Sequence, residues 1–441
     1  MAPALRISVI GTGYLGATHA AGMAELGHEV IGLDLDKTKV DRLAAGEVPF
    51  FEPGLAEVLR RGLDSGRLRF TTSYAEAGAG ADVHFVCVGT PQQAGSNAAD
   101  MRYVEAAFSE LAPCLTDGAL VVGKSTVPAG TASRMAEVVR SQGPQGVRAA
   151  VGWNPEFLRE GFAVQDTLKP DRLVFGVDGE RSEQTLRAVY ADIIATGTPV
   201  VVTDFATAEL VKAAANSFLA TKISFINAMA EVCETTGADV SKLAEALGHD
   251  ERIGPRFLRP GLGFGGGCLP KDIRAFMARA EELGVVQAVA FLREVDAINL
   301  RRRARMVDLT REALGDVLER QRIAVWGAAF KPNSDDIRDS PALDVAVSLQ
   351  DNGADVVVYD PQAMANAKQQ YPQLTYADTA LAAAQDADII VHLTEWQEFA
   401  DCEPADLDDI VRGKRIVDGR NALDPERWRD AGWRYRALGR P

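Results

Sequence analysis

The chain has 441 residues, 47% hydrophobic and 25% charged, room for about three domains with buried cores, which excludes a disordered chain, a collagen and a disulfide mini-scaffold. A net charge of −15, from 62 acids against 47 bases, argues against a nucleic-acid partner, and no apolar run nears the ~20 residues that would span a bilayer. Five cysteines without close pairs and five scattered histidines, with no CxxC or HExxH, predict neither a disulfide framework nor a metal site. The opening MAPALRISVIGTGYLG runs straight into a strand and a glycine turn, so no signal peptide is expected, and the few unpaired-looking cysteines fit a reducing cytoplasm best.

In chain order, residues 6–10 (RISVI) read as a strand, GTGYLG as a turn, 18–26 as a helix stopping at Gly27, and HEVIGLD as a strand ending at Asp34. Further buried strands are predicted at 83–88 (VHFVCV), 119–123 (ALVVG) and 172–177 (RLVFGV), with helices between most of them. Short apolar strands alternating with amphipathic helices give a parallel sheet covered on both faces. From Thr207 to about Glu234 an Ala-rich stretch without Pro or Gly reads as one long helix, apolar round most of its surface and so expected to be buried. Helices continue to about Leu314, broken by the glycine-rich segment 261–267.

The last third echoes the first. RIAVWG (322–327) matches RISVIG (6–11), GADVVVYD (353–360) matches GHEVIGLD (27–34), and DADIIVHLTEW (386–396) matches GADVHFVCVGT (80–90). Three echoes in one order predict a second nucleotide-binding type of sheet. Its first turn reads GAAFKP where the first copy has GTGYLG, so it lacks the glycines for close approach to a pyrophosphate. A ligand held in another way is expected there.

Gly11, Gly13 and Gly16 form GxGxxG between a strand and a helix. The first permits the tight turn, the second lets backbone approach a pyrophosphate, and the third lets helix pack on strand. The helix N-terminus adds amide donors and positive potential. Asp34, 18 residues after Gly16, stands where a carboxylate receives ribose hydroxyls and repels a 2′-phosphate, which predicts NAD rather than NADP.

Cys268 lies in GFGGGCLPKD, just before Pro270, which suits a first helical turn, so the thiol would sit beside a helix N-terminus that favours thiolate. Gly263, Gly265, Gly266 and Gly267 leave bare backbone around it, and Asp272 follows four residues on. On these residues alone, a structural cysteine in a glycine-rich bend remains the alternative. Lys212 and Asn216, spaced i, i+4, project from one face of the long helix and could hold a developing oxyanion; a lysine snorkelling from a helix edge is the other reading. Glu156 and Glu160 lie in WNPEFLREG, with Asn154 read as an N-cap and Pro155 as the first helical residue. They are functional acids or acids favoured by the helix dipole. Thr126 in GKSTVPAG stands at a strand's carboxyl end, where open α/β sheets bind ligands, though turn chemistry explains it as well. His19, His28, His84, His249 and His392 form no cluster, and the arginines at 301–303 read as a solvated helix face.

Together and in this order, GTGYLG, VGTP (88–91), KSTVP (124–128), NPEFLREG (154–161), the Lys212–Asn216 helix, RIGPRFLRPGLGFGGGCLPKD (252–272), AFKPNSDDIRDSP (329–341) and DGRN (418–421) resemble the UDP-glucose/GDP-mannose dehydrogenase family. The matches cover almost the whole chain. RIG before the cysteine loop and KPDR (169–172) look like the UDP-glucose branch. Gly267, where Ser is commoner, and Leu269, where Phe is commoner, depart from the pattern without removing a reacting group.

The resemblance implies a four-electron oxidation of UDP-glucose to UDP-glucuronate by two NAD in turn, through a thiohemiacetal and a thioester on sulfur. It makes Cys268 the nucleophile, Lys212 and Asn216 the stabilisers of negative charge, Asp272 and Thr126 the holders of a water, and Glu156 the aid to hydrolysis. It assigns NAD to Gly11, Gly13, Gly16, Asp34, Lys39, Thr90, Thr126, Glu160 and Arg338. It assigns the sugar nucleotide to Glu156, Phe157, Leu158, Lys212, Asn216, Arg252, Phe257, Gly261, Gly265, Lys331 and Arg420. Arg252 is expected to reach a neighbouring subunit's site, so a homodimer with the long helix as interface core is expected.

The fold class expected is α/β, with two Rossmann-type doubly wound sheets joined by a long central helix and a helical middle domain. Residues 1–203 are expected to bind NAD, 204–315 to form the helical part and dimer interface, and 316–441 to bind UDP, with the thiol deep in the groove between the sheets. The alternatives are a sibling acting on GDP-mannose or UDP-N-acetylmannosamine and a non-catalytic NAD-sensing regulator.

Overall fold

Short apolar strands, each followed by a helix or loop crossing back over the sheet, build the first half of the chain. The computed structural model describes residues 4–440, which fall into two compact units: residues up to Ala215 with Arg274–Leu283, and Asn216–Ile273 with the residues from Gly284 onward. In the first unit, strands β1 (Arg6–Ile10), β2 (Glu29–Leu33), β3 (Leu68–Thr71), β4 (Val83–Val86), β5 (Leu120–Gly123), β6 (Ala150–Trp153), β7 (Leu173–Val177) and β8 (Val200–Thr203) form one sheet in the order β3-β2-β1-β4-β5-β6-β7-β8. All pairs are parallel except β6 with β7. Consecutive strand residues serve opposite cores: Val83 and Phe85 pack on one face and Val86 on the other, as do Leu120 and Val122 against Val121. That is the signature of a sheet covered on both sides.

The second unit repeats the plan. Strands β9 (Arg322–Trp326), β10 (Asp355–Tyr359), β11 (Thr375–Tyr376), β12 (Ile389–His392), β13 (Arg415–Asp418) and β14 (Arg434–Ala437) pair in the order β11-β10-β9-β12-β13-β14, all parallel. This is the strand order of the first sheet's first six members, and the sequence echoes fall on β9, β10 and β12. The long helix runs Phe205–Thr236, and the helices Val240–Gly248, Leu269–Glu282 and Phe291–Ala313 follow it.

Three local expectations are corrected. Asn154 caps no helix: residues 154–159 are irregular and the next helix is Ala163–Leu168. The Asn154 amide is already committed, accepting from Lys124 Nζ at 2.9 Å and Tyr190 OH at 2.7 Å and donating to the Val174 carbonyl at 2.9 Å. Glu52, more than a hundred residues away in sequence, receives the Gly161 and Ala163 amides instead, each at 2.7 Å. The long helix is not buried all round: Phe218, Phe225 and Val232, at seven-residue spacing, are 66%, 49% and 54% exposed. Of the arginines at 301–303, read as a solvated face, only Arg301 is exposed. Arg302 and Arg303 are buried, because Glu234 pairs with the first and Asp339 and Asp344 with the second.

Candidate active site

The glycine turn follows β1. A Cβ on Gly16 would lie 1.8 Å from the Gly11 carbonyl oxygen, so helix Tyr14–Glu25 packs this closely on the turn only with glycine there. Gly13 has nothing within 4 Å of the same position, and no side chain caps the helix it begins. Open space over uncapped helix amides fits a phosphate group. Asp34, just after β2, accepts from the Thr12 amide at 2.9 Å and from Lys39 Nζ at 2.9 Å. Burial alone would raise its carboxyl, but bonds from the Asp36 amide, Lys39 and the Thr12 amide outweigh that and hold it below the usual range. A carboxylate kept ionised at a strand end is suited to ribose hydroxyls. Tyr14 of the turn donates to Glu52 and accepts from the Gly161 amide at 3.0 Å, tying the glycine turn to the segment bearing Glu160.

Two loops leave the carboxyl ends of β5 and β6. The first carries Lys124, Ser125 and Thr126, and the Thr126 carbonyl accepts from Thr90 Oγ at 2.9 Å. The second carries Glu156, Phe157 and Leu158. Glu156 accepts from the Leu158 amide and pairs with the buried Lys212 at 3.2 Å. Lys212 also lies 5.6 Å from the Phe157 ring centre, whose ring Arg172 stacks at 3.8 Å. Three residues before Lys212, buried Glu209 receives the Gly130 and Ala132 amides at 2.7 and 2.6 Å. The start of the long helix is thereby fixed to the Thr126 loop. Lys212 is thus an enclosed, paired ammonium, not a snorkelling one.

Helix Leu269–Glu282 begins directly after Cys268, and the Asp272 amide donates to the Cys268 carbonyl at 2.9 Å, one helical turn apart. Asp272 is buried; Asn216 Nδ2 donates to one carboxylate oxygen at 2.6 Å and Lys271 to the other. Cys268 itself is exposed, after a glycine run in which Gly263, Gly265 and Gly266 are buried. The glycine run threads close to residues 338–341: a Cβ on Gly265 would meet the Asp339 carbonyl oxygen at 2.2 Å, and the Gly266 amide donates to the Arg338 carbonyl at 2.9 Å. Gly267 lies against the Arg338 guanidinium, 2.2 Å from where its Cβ would stand. Arg338 holds Asp336 in a two-pronged bond.

The remaining candidates are dispersed over the second unit. Arg420 donates to the Leu393, Gly263 and Phe330 carbonyls at 2.7, 2.8 and 3.0 Å, which locks the glycine run to β12 and to the loop after β9. Gly261 packs on Gly419 and Arg420. Lys331 sits over the Phe330 ring. Phe257 holds a left-handed backbone, φ 64°, and Arg252 is exposed and paired with Asp250 at 2.6 Å. Among the described residues no group of three His, Cys, Asp or Glu side chains is placed to hold a metal ion, and no helix is long and apolar enough to cross a membrane.

Lys124, Lys271, Glu52 and Tyr14 belong to these clusters yet were not singled out in the sequence. A lysine directly continuing an apolar strand, as Lys124 continues LVVG, is the signal that could have found the first.

Three family models of the UDP-glucose/GDP-mannose dehydrogenase family match the chain: its NAD binding domain over residues 5–194, its central domain over 206–301 and its UDP binding domain over 324–425. A UDP-glucose 6-dehydrogenase of Rhizobium meliloti is 40% identical over 99% of this chain and 100% of its own length, and one of Pseudomonas aeruginosa is 41% identical over 99% and 98%. The solved structure of a UDP-glucose dehydrogenase from the archaeon Pyrobaculum islandicum superposes with a TM-score of 0.91 at 40% identity, covering 100% of this chain and 99% of that one. A UDP-D-ManNAc dehydrogenase from Pyrococcus horikoshii follows at 0.85 and 28%, covering 99% of each.

Proposed function

Because this chain belongs to the UDP-glucose/GDP-mannose dehydrogenase family, we propose that it oxidises UDP-glucose to UDP-glucuronate, with Cys268 as nucleophile. The observation that carries the reading is the pairing at one turn of the long helix. Lys212 is buried against Glu156, Asn216 is buried against Asp272, and Asp272 lies one turn from a thiol at a helix N-terminus. Relatives at about 40% identity named for UDP-glucose, against 28% for the acetylmannosamine enzyme, support the substrate.

NAD, when held by Gly11, Gly13, Gly16, Asp34, Lys39, Thr90, Thr126, Glu160 and Arg338, supplies the hydride acceptor for each oxidation. Lys212 and Asn216 donate to the negative charge that develops on the hexose C6 oxygen; losing one such donor typically costs ~3 kcal/mol of barrier. Asp272 and Thr126 hold a water and assist transfer of the alcohol proton, with the Asp272 carboxylate as the acceptor reached through that water. Cys268 sulfur adds to the aldehyde carbon, which prevents its escape and gives a thiohemiacetal, itself a hydride donor. The second oxidation leaves a thioester. Glu156 takes a proton from water as its oxygen adds to the acyl carbon, the carbon–sulfur bond breaks, and sulfur departs as thiolate. Phe157, Leu158, Phe257, Gly261, Gly265, Lys331 and Arg420 position the sugar nucleotide.

Residues 1–203, 204–315 and 316–441 are assigned to NAD, to the helical dimer interface and to UDP. The exposed Phe218, Phe225 and Val232 stripe supports a homodimer, and exposed Arg252 is the residue that would serve the neighbouring site. An odd number of cysteines without close pairs in so long a chain fits a reducing cytoplasm. The test is NADH yield from a panel of sugar nucleotides. Two NADH per UDP-glucose are expected; two per GDP-mannose with none from UDP-glucose would overturn the substrate.

A further inference from the structure

The Lys124 ammonium is buried at the carboxyl end of β5, and its hydrogen-bond partners are all neutral: Asn154 Oδ1 at 2.9 Å, the Asn154 carbonyl at 3.4 Å and Tyr190 OH at 3.4 Å. Two aromatic faces, Phe85 and Tyr190, complete the shell at 5.6 and 6.0 Å. A buried cation without a carboxylate in contact is a poor way to stabilise a fold, and burial accordingly pulls its pKa down to about 8, with the Glu156 charge acting the other way.

What the ammonium does is grip the start of an irregular segment. Asn154 follows β6 directly, no helix supports residues 154–159, and Glu156 is two residues on. Asn154 is held from three sides, by Lys124, by Tyr190 and through the Val174 carbonyl. Glu156 is held farther along, by the Leu158 amide and Lys212.

We propose that Lys124 is a positioning residue for thioester hydrolysis: through Asn154 it fixes the backbone that aims the Glu156 carboxylate at the attacking water. The inference rests on the reading of Cys268 and Glu156 given above. In the step concerned, water oxygen bonds to the acyl carbon, the carbon–sulfur bond breaks, sulfur leaves as thiolate, and the water proton passes to Glu156. No oxidant is consumed, so the step is separable from both NADH-forming steps.

The test is Lys124→Met in the full-length protein with UDP-glucose and NAD, followed by rapid-mixing NADH absorbance and intact-protein mass after acid quench. Expected are a burst approaching two NADH per site, a steady rate lowered by about 10²-fold, an acyl adduct on Cys268, and an unchanged KM for NAD. A merely structural lysine would not separate burst from steady state. A folded Lys124→Met variant at the wild-type steady rate without adduct overturns the proposal, as does loss of burst and steady rate together. Should Lys124→Met not fold, Lys124→Leu, which likewise removes the donor toward Asn154, is judged by the same readouts: a wild-type burst-to-steady-rate ratio overturns the proposal, and an adduct supports it. If the wild type forms no NADH from UDP-glucose, the proposed function fails; if the wild type turns over and the variant matches it, this inference alone fails.

Discussion

Lys124→Met should make the protein more stable while harming it as an enzyme. Burial holds the Lys124 ammonium at about 8 against an ordinary 10.5, which at about 1.4 kcal/mol for each pH unit costs the native state about 3 kcal/mol at neutral pH. Methionine removes that cost and fills much of the same space. It also removes a donor from Asn154 and Tyr190. Tyr190 OH still donates to Asn154 Oδ1 at 2.7 Å, so the loss is close to one ordinary hydrogen bond, about 1 kcal/mol. The net gain is about 2 kcal/mol, or about 4–8 °C in the melting of the first unit.

The pH dependence has a definite sign. The folded pKa is depressed, so between about 8 and 10.5 the unfolded chain binds the proton that the native chain has released, and wild-type stability from this site rises with pH. Below about 8 the cost is present in full. The ionisable neighbours His19, Cys87 and Tyr190 stay neutral across this window. Burial lowers the first, lifts the second to about 12, and raises the third. Glu156, the remaining neighbour, contributes its charge to Lys124. Urea unfolding of wild type and variant at pH 7 and pH 9.5 measures the difference. It should be near 2 kcal/mol in favour of methionine at pH 7 and smaller at pH 9.5. A variant less stable at pH 7, or a gap that does not move with pH, would show that Lys124 is retained for the fold and not for the reaction.

Asp34→Ala removes a carboxylate kept ionised by Lys39 and two amides; the KM for NAD should rise about 10- to 100-fold, with kcat little changed, and an unchanged KM would take Asp34 away from the ribose. Cys268→Ala should abolish acid formation while NAD still binds by fluorescence titration, and undiminished turnover would rule out the covalent route. Phe225→Asp, placing a charge in the exposed stripe of the long helix, should shift the protein to monomer in analytical ultracentrifugation; an unchanged dimer would put the interface elsewhere.

Both sheets and the long helix were legible because short apolar strands, the glycine turn and the helix length are all local signals. What escaped was decided by distant partners. Asn154 followed by proline looks like a helix start, but its amide is spent on Lys124, Tyr190 and Val174, and the cap of the next helix comes from Glu52, a residue whose sequence context says nothing of Gly161. Arg302 and Arg303 look solvated until Glu234, Asp339 and Asp344 are brought to them. The pairing of Lys212 with Glu156 and of Asn216 with Asp272 joins residues 56 apart. Spacing within one helix predicts which side chains share a face, not what they meet.

The two sheets share a strand order, yet they treat their first turn in opposite ways, and one carboxylate explains the difference. After β2, Asp34 takes one amide of the glycine turn, Thr12, and remains partly open beside Lys39. After β10, Asp360 takes two, Ala328 and Ala329 at 2.8 and 2.9 Å, and the Trp396 indole donates to the same oxygen at 3.0 Å, leaving the residue 1% exposed. In the first sheet the helix starts at Tyr14, so its uncapped amides face the turn; in the second it is delayed to Pro341 and already capped by Ser340. An internal carboxylate on the turn and a capped, distant helix leave no place for a pyrophosphate against β9. Filled hydrogen-bond donors, as much as missing glycines, set this turn apart from the one that follows β1.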